Sequence, residues 1–114
     1  MDCRHRPHGD GGGAVLKRDL IVLCLLHLLK GADRYGYELM RPLREAFPDT
    51  EESAIYALLR QLCREGYTEQ YQGSASGGPV RKYYRLTDAG GERYTAFLEE
   101  WRRLRGTLAL LGIE

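Results

Sequence analysis

The groups best suited to chemistry in this sequence are hydroxyl and guanidinium groups on one face of a predicted helix. Residues 51–65 have an apolar stripe at i, i+3, i+4 and i+7 spacing, formed by Ile55, Leu58, Leu59 and Leu62. The opposite face carries Ser53, Tyr56 and Arg60. Such side chains bond phosphate oxygens and base edges when a helix lies in the major groove of DNA. The alternative is an ordinary solvated helix face without a ligand.

A second group of cations lies at a predicted β-hairpin. Short strands are predicted for residues 67–72 and 80–86, which are rich in tyrosine and β-branched residues, and the Gly-rich segment between them is expected to form a mobile tip. Arg81, Lys82 and Arg85 cluster on and beside this tip. Cations in that position bind DNA phosphates with an affinity that depends on salt and little on base sequence.

The overall charge gives no support for nucleic-acid binding, since 17 basic and 16 acidic side chains leave a formal net charge of +1. A DNA surface must therefore come from local clustering of lysine and arginine. Asp49, Glu51 and Glu52 act against tight binding, because they put negative charge at the start of the helix predicted for 51–65. These acidic side chains also stabilise the helix, because they lie at the positive end of its dipole.

Catalytic and metal-binding constellations are not recognisable in the sequence. His5 and His8 lie in an N-terminal tail, and His27 is alone in an apolar helix, where we interpret it as a core histidine rather than a base. There is no Ser–His–acid set, metal-ligand spacing or phosphate-binding loop. Cys3 with the two tail histidines is a conceivable metal clip, but one thiolate beside a glycine run is weak support for zinc. The sequence therefore predicts neither an enzyme nor a cofactor.

One compact domain accounts for the 114 residues, preceded by a disordered tail at residues 1–13. The elements after the tail are helix, helix, helix, strand, strand and long helix. Three helices followed by a β-hairpin form the winged helix-turn-helix arrangement, in which the third helix faces DNA. The predicted fold class is mainly α with a small β-hairpin, with a DNA-binding domain at 14–87 and a C-terminal dimerisation helix at 88–114. Thr87 is expected to cap that last helix.

Two helices predict a dimer, because each has more apolar surface than one small domain covers. The helix at 15–30 is apolar on most of its circumference. The last helix carries a heptad seam in which Tyr94, Trp101 and Leu108 alternate with Phe97, Leu104 and Leu111. At about 1.5 Å per residue its length of roughly 36 Å exceeds the domain beneath it. The predicted interface residues are Leu16, Leu20, Tyr94, Leu104, Leu108 and Leu111.

The cysteines and the apolar segments indicate the cellular compartment. Cys3, Cys24 and Cys63 form no disulfide framework, and no signal peptide is visible. The longest apolar stretch, residues 20–29, is interrupted by His27 and is too short to span a membrane. The sequence therefore predicts a reduced cytoplasmic setting without a membrane partner.

Three segments make the chain resemble PadR-type transcriptional regulators. They are YGYEL at 35–39, IYALL at 55–59 and RKYYRLTDAG at 81–90, and the resemblance extends over about residues 16–111. The short single C-terminal helix resembles the small subfamily that includes a lactococcal multidrug-responsive repressor. The resemblance implies a homodimer that represses promoters by binding double-stranded operator DNA. The matching positions imply DNA contacts from Tyr37, Ser53, Tyr56, Arg81 and Lys82.

The resemblance also implies a role for Trp101, which stands where the multidrug-responsive relative has a tryptophan that stacks on flat drugs between subunits. A small aromatic ligand would then lie against Leu23, Leu26, Phe97, Trp101 and Arg105. Because Arg105 replaces an acid of that relative, a neutral or anionic ligand is favoured. The large Phe97 side chain is expected to narrow the ligand-binding pore between the two subunits. The alternative is simple packing, since a tryptophan on a heptad seam buries a large area without a ligand.

A competing function is that of a protein-binding winged helix, which works through its dimer surfaces without specific DNA affinity. The wing cations and Tyr56 argue against this alternative. Val80 stands where many PadR-type members have a further basic residue, and this departure weakens the expected wing contacts. DNA binding is therefore the predicted function, and the protein-binding winged helix is its alternative.

Overall fold

The structure, a computed structural model of the chain, describes residues 10–74 and 77–114, with side chains from residue 16 onward. The elements are α1 (Asp10–Gly31), β1 (Arg34–Tyr35), α2 (Gly36–Ala46), α3 (Glu52–Arg64), β2 (Thr68–Gly73), β3 (Arg81–Leu86) and α4 (Asp88–Leu110). The predicted fold class is confirmed, since the described residues form a mainly helical chain with a small antiparallel sheet and a long last helix.

The boundary of the N-terminal tail differs from the prediction of disorder at residues 1–13. Residues 10–13 belong to α1. Extending a helix that has already formed over residues 15–30 costs less free energy than nucleating a new one. Residues 1–9 lie outside the described residues, and with them the metal clip considered for Cys3, His5 and His8.

The sheet has three strands in the described residues rather than the two predicted. Strand β3 is central and pairs antiparallel with β2 on one side and with β1 on the other. The register places Tyr71 and Tyr35 opposite Tyr83, so three tyrosines form one row across the sheet. Strand β1 was not predicted because two residues are too few to show a periodicity.

The core lies between the first three helices and the sheet. Its buried side chains come from α1, α2, α3 and β3: Ile21, Leu25, Leu26, Leu29, Leu39, Met40, Leu43, Ile55, Leu59, Leu62 and Tyr84. The apolar stripe predicted for α3 is confirmed at Ile55, Leu59 and Leu62, whereas Leu58 is only partly buried. Since burying one such side chain contributes about 1.5–3 kcal/mol, this cluster fixes α3 on the other helices.

Helix α4 begins at the predicted Thr87 cap. The Thr87 hydroxyl oxygen accepts a hydrogen bond from Gly90 N at 3.0 Å and donates to the Gly66 carbonyl at 2.7 Å. Gly90 is buried, and a Cβ there would collide with the carbonyl oxygen of Tyr67 and with the side chain of Leu86. The start of α4 is therefore fixed against both the turn after α3 and the end of β3.

The second half of α4 extends away from the rest of the chain. All residues from 99 to 114 are exposed, and the molecule measures 59 Å by 28 Å by 26 Å. Four apolar side chains of the predicted heptad seam in this segment have between 36% and 75% of their surface exposed: Trp101, Leu104, Leu108 and Leu111. A contiguous apolar surface of this kind is typical of an interaction site. Over the described ranges, none of the helices has both the length and the hydropathy needed to cross a bilayer.

Candidate nucleic-acid interface

Side chains from β1, α2, α3 and β3 meet around one shallow cavity of about 290 Å³. Its lining consists of Tyr35, Gly36, Tyr37, Tyr56, Arg81, Lys82 and Tyr84. Four of the six residues predicted to contact DNA are in this set, namely Tyr37, Tyr56, Arg81 and Lys82. Because these residues are far apart in the sequence, it is the fold that brings their charges and hydroxyl groups to one surface.

Tyr56 lies where α3 comes closest to the first turn of α2. Its ring is partly buried, and its hydroxyl packs so closely on Gly36 that any Cβ at position 36 would collide with it. Burial, and to a smaller extent the negative charge of Glu52, raise the pKa of Tyr56 above its ordinary value. The phenol therefore stays protonated near neutral pH and keeps its hydrogen-bond donor.

The other two predicted DNA contacts, Ser53 and Arg60, lie outside this cavity. Both are exposed, and Ser53 lines a separate depression at the start of α3. Residues 53, 56 and 60 are three and four positions apart, so they share one face of the helix. That face continues from the start of α3 through Tyr56 to Arg60.

The three wing cations are of two kinds. The Arg85 guanidinium donates to Glu69 across the β2–β3 pair, and this hydrogen bond raises the pKa of Arg85. Neither Arg81 nor Lys82 takes part in an ion pair within the described part of the chain. Both are exposed, so their charges are available to an anion while the charge of Arg85 is largely compensated.

The acidic residues near the start of α3 are also partly compensated. Arg44 Nη1 donates to Glu52 Oε2 at 3.2 Å and so links α2 to α3. Asp49 and Glu51 remain exposed at this end of the helix. One of the three acids expected to repel a phosphate, Glu52, is therefore paired with a cation.

The residues predicted at a dimer interface lie on α1 and α4 and differ in exposure. Tyr94 and Leu20 are partly buried, whereas the others are exposed: Leu16, Leu104, Leu108 and Leu111. The Tyr94 hydroxyl lies 2.8 Å from Nδ1 of His27. The interpretation of His27 as a core histidine is wrong, because its side chain is exposed on the face of α1 that lies beside Tyr94 of α4.

The residues predicted to bind an aromatic ligand are distributed over separate places. Trp101 and Arg105 line a depression of about 460 Å³ near the end of α4. Phe97 instead lines a cavity of about 160 Å³ between α1, α3 and α4, with the Arg93 guanidinium 5.1 Å from its ring centroid. Leu23 is partly buried. Leu26 is fully buried with the α2 and α3 side chains, so it belongs to the core rather than to a wall that a ligand reaches.

The two cysteines of the described residues are free thiols. Cys24 and Cys63 are partly buried, and burial raises the pKa of the Cys24 thiol. The Cys63 sulfur lies 3.0 Å from the Thr68 hydroxyl oxygen. Within residues 10–74 and 77–114, no group of three His, Cys, Asp or Glu residues is arranged to hold a metal ion.

The sequence matches one established family over most of this architecture. The model of the transcriptional regulator PadR-like family matches residues 25–96, which include the whole cavity lining. The chain belongs to the PadR-like family. The resemblance inferred from the YGYEL, IYALL and RKYYRLTDAG segments is thereby confirmed, while the likeness to the lactococcal subfamily stays a prediction.

Solved structures and one sequence relative are similar to this PadR-like regulator. A Bacillus cereus PadR-like transcriptional regulator is 33% identical, with a TM-score of 0.75 over 81% of this chain and 90% of that one. A Streptococcus transcriptional regulator is 33% identical, with a TM-score of 0.77 over 85% of this chain and 96% of that one. Bacillus subtilis PadR in complex with operator DNA is 24% identical, with a TM-score of 0.59 over 69% of this chain and 45% of that one. At this identity the comparison shows a similar fold. An uncharacterised Lysinibacillus sphaericus protein is 30% identical over 95 residues, 79% of this chain and 87% of that protein.

Proposed function

We propose that this PadR-like regulator is a cytoplasmic homodimer that binds double-stranded operator DNA and represses the adjacent promoter. The observation that carries the proposal is the convergence of Tyr37, Tyr56, Arg81 and Lys82 on one cavity. Two exposed cations outside the described ion pairs attract phosphates, and two phenols add hydrogen bonds. The exposed face of α3 beside them offers groups for base edges.

The proposed interface divides phosphate contacts from base contacts. With α3 in the major groove, Ser53 and Tyr56 would meet the DNA near the helix start, and Arg60 one turn later. The wing would lie along the phosphate backbone. Because strand residues alternate, Arg81 and Lys82 project to opposite faces of β3 and would reach different phosphates.

Dimerisation is proposed from the uncovered half of α4. A heptad seam needs a second helix to supply the holes for its side chains, and Trp101, Leu104, Leu108 and Leu111 are exposed along this seam. A second copy is the favoured partner, because a two-fold axis pairs the same apolar surface with itself. Such a dimer would also suit two DNA half-sites about 34 Å apart.

The test is a fluorescence-anisotropy titration of the purified chain with the DNA upstream of its own gene, repeated over a salt series. We expect submicromolar binding that discriminates against random DNA and weakens steeply with salt, since log K falls by about 0.9 per log unit of salt for each neutralised phosphate. No preference over random DNA would place the operator elsewhere. No binding at low salt would contradict the proposal and favour the protein-binding winged helix.

Release from DNA by a small aromatic ligand is the finer part of the proposal. The depression near the end of α4 joins the indole of Trp101 to the guanidinium of Arg105 and the apolar Leu108. An aromatic face beside a cation suits a flat ligand that is neutral or anionic. Since this depression lies on the surface proposed to pair, a second copy would enclose the ligand.

Trp101 fluorescence measures this binding directly, because the chain has a single tryptophan. We expect a flat aromatic carboxylate to change the emission and a neutral aromatic of the same size to do so as well. Arg105→Gln should raise the dissociation constant of the carboxylate roughly three- to fivefold and leave that of the neutral compound unchanged. Unchanged emission across both classes of compound would contradict the ligand site.

A further inference from the structure

The outer face of the sheet carries a continuous row of aromatic rings. Since side chains alternate along β3, Arg81, Tyr83 and Arg85 share the face that points away from the core. Tyr71 stacks on Tyr83 with ring centroids 5.6 Å apart and planes inclined by 16°. On the other edge, Tyr35 meets Tyr83 edge-on, with centroids 5.6 Å apart and an angle of 68°. Both are favourable arrangements of aromatic pairs.

A cation lies over each end of this tyrosine row. The Arg81 guanidinium carbon is 4.3 Å from the centroid of Tyr35, well within the range of a cation–π contact. At the other end, the Arg85 guanidinium carbon is 5.4 Å from the centroid of Tyr71. The Tyr71 hydroxyl donates to Asp33 Oδ2 at 2.6 Å, and this bond raises the pKa of Tyr71. The row is therefore tied to the segment between α1 and β1.

Tyr35 connects this row to the candidate DNA interface. It ends β1 and precedes the first residue of α2, and its backbone N donates to Glu38 Oε1 at 3.1 Å. Its side chain lines the same cavity as Tyr56 and Arg81. An exposed arginine loses side-chain entropy when it binds a phosphate, and an arginine already held in place loses less.

We propose that Tyr35 is a positioning residue for DNA binding, because its ring holds the Arg81 guanidinium in place for a phosphate of the operator. The Tyr83–Tyr71–Asp33 contacts keep Tyr35 and the wing aligned. This inference rests on the proposed function. Lys82 projects to the opposite face of β3, and in the described residues it makes no cation–π contact, so Tyr35 acts on Arg81 and not on Lys82.

Two double-mutant cycles on the full chain test this role. Tyr35→Leu should raise the Kd of each protomer for its operator half-site about two- to fivefold, whereas Tyr35→Phe keeps the ring and should bind as the wild type does. In an Arg81→Ala background, Tyr35→Leu should have no further effect. In a Lys82→Ala background, it should keep its full effect, since independent sites are additive.

A merely structural role of Tyr35 predicts a different result. It would weaken DNA binding by the same factor in the Arg81→Ala and Lys82→Ala backgrounds, and that result would overturn the inference. No effect of Tyr35→Leu in the wild type would overturn it as well. In both cases the proposed DNA-binding function would stand, because binding by the wild type and its weakening in Arg81→Ala establish that function separately.

A measurement without DNA tests the contact itself. In the NMR spectrum of the free protein, the Arg81 side-chain Nε–H should be shifted upfield by the ring current of Tyr35. Tyr35→Leu should remove this shift and leave the methyl resonances of Ile55 and Leu59 in place, which also verifies the fold. An Arg81 resonance that is identical in both proteins would contradict the proposal, and a wild type that binds no DNA would overturn the inference together with the proposed function.

Discussion

Replacing Arg81 and Lys82 together with alanine is expected to lower the affinity of each protomer for its operator half-site by about two orders of magnitude at low salt, since each charge-assisted hydrogen bond to a phosphate contributes about tenfold. Both side chains are exposed, and the contact of Arg81 with the Tyr35 ring is the interaction lost, so the free energy of unfolding should fall by no more than about 1 kcal/mol. For the proposed dimer, the plot of log K against log salt should also lose about 3.6 of its slope, because four fewer phosphates are neutralised, two by each protomer. Fluorescence anisotropy over a salt series measures both effects.

The matched control for this variant removes the third wing cation with its partner. Arg85→Ala combined with Glu69→Ala deletes an ion pair on the same hairpin without changing the net charge. Because the Arg85 charge is already compensated, we expect this control to bind DNA within about twofold of the wild type, as exposed ion pairs contribute little. Equal losses in the two double variants would show that the wing binds DNA through its general charge or shape rather than through Arg81 and Lys82.

Alanine at Gly90 is expected to destabilise the fold by about 3 kcal/mol, the upper end for overpacked sites, because the new Cβ would overlap a backbone carbonyl that cannot move aside. That carbonyl belongs to Tyr67 and also accepts a hydrogen bond from Thr87 N at 3.1 Å. The melting temperature, measured at a fixed protein concentration, should fall by roughly 10–20 °C.

The neighbouring glycine provides the control for this effect. A Cβ at Gly91 would meet no heavy atom within 4 Å among the described neighbours, so Gly91→Ala should gain up to about 1 kcal/mol of helix propensity. Two adjacent glycines in one helix should therefore respond with opposite signs in the same thermal-denaturation experiment. A similar response at both positions would show that propensity, rather than the approach of α4 to Tyr67, decides the effect.

The parts of the fold that depend on local patterns were predictable from the sequence. The stripe of Ile55, Leu59 and Leu62 fixed the orientation of α3, and Thr87 marked the start of α4 because a hydroxyl there satisfies an unpaired amide. The same orientation of α3 placed Ser53, Tyr56 and Arg60 on its exposed face. The order of helices and strands indicated a winged helix-turn-helix, in which the third helix and the hairpin face the same DNA. Four of the predicted DNA contacts accordingly line one cavity.

The parts that depend on which neighbour covers a residue were not predictable. Helix α1 is apolar on most sides, so its periodicity did not show that Leu26 faces the core while His27 faces outward. Phe97 occupies a heptad position, but the first half of α4 packs on its own domain and turns this ring toward α1 and α3. The alternation of Arg81, Tyr83 and Arg85 was visible, whereas their partners Tyr35 and Tyr71 follow only from the strand register.

Because residues 99–114 are exposed, the two halves of α4 should differ in the free energy of local unfolding. We expect the first half of α4 to open together with the core, because Gly90 is buried and Tyr94 contacts α1. The second half alone has about the length at which an isolated helix is marginal in water. If a second copy supplies its remaining contacts, protection of its backbone amides from hydrogen exchange increases with protein concentration, whereas protection in α3 does not. Dilution would then loosen the end of α4 long before it unfolds the domain.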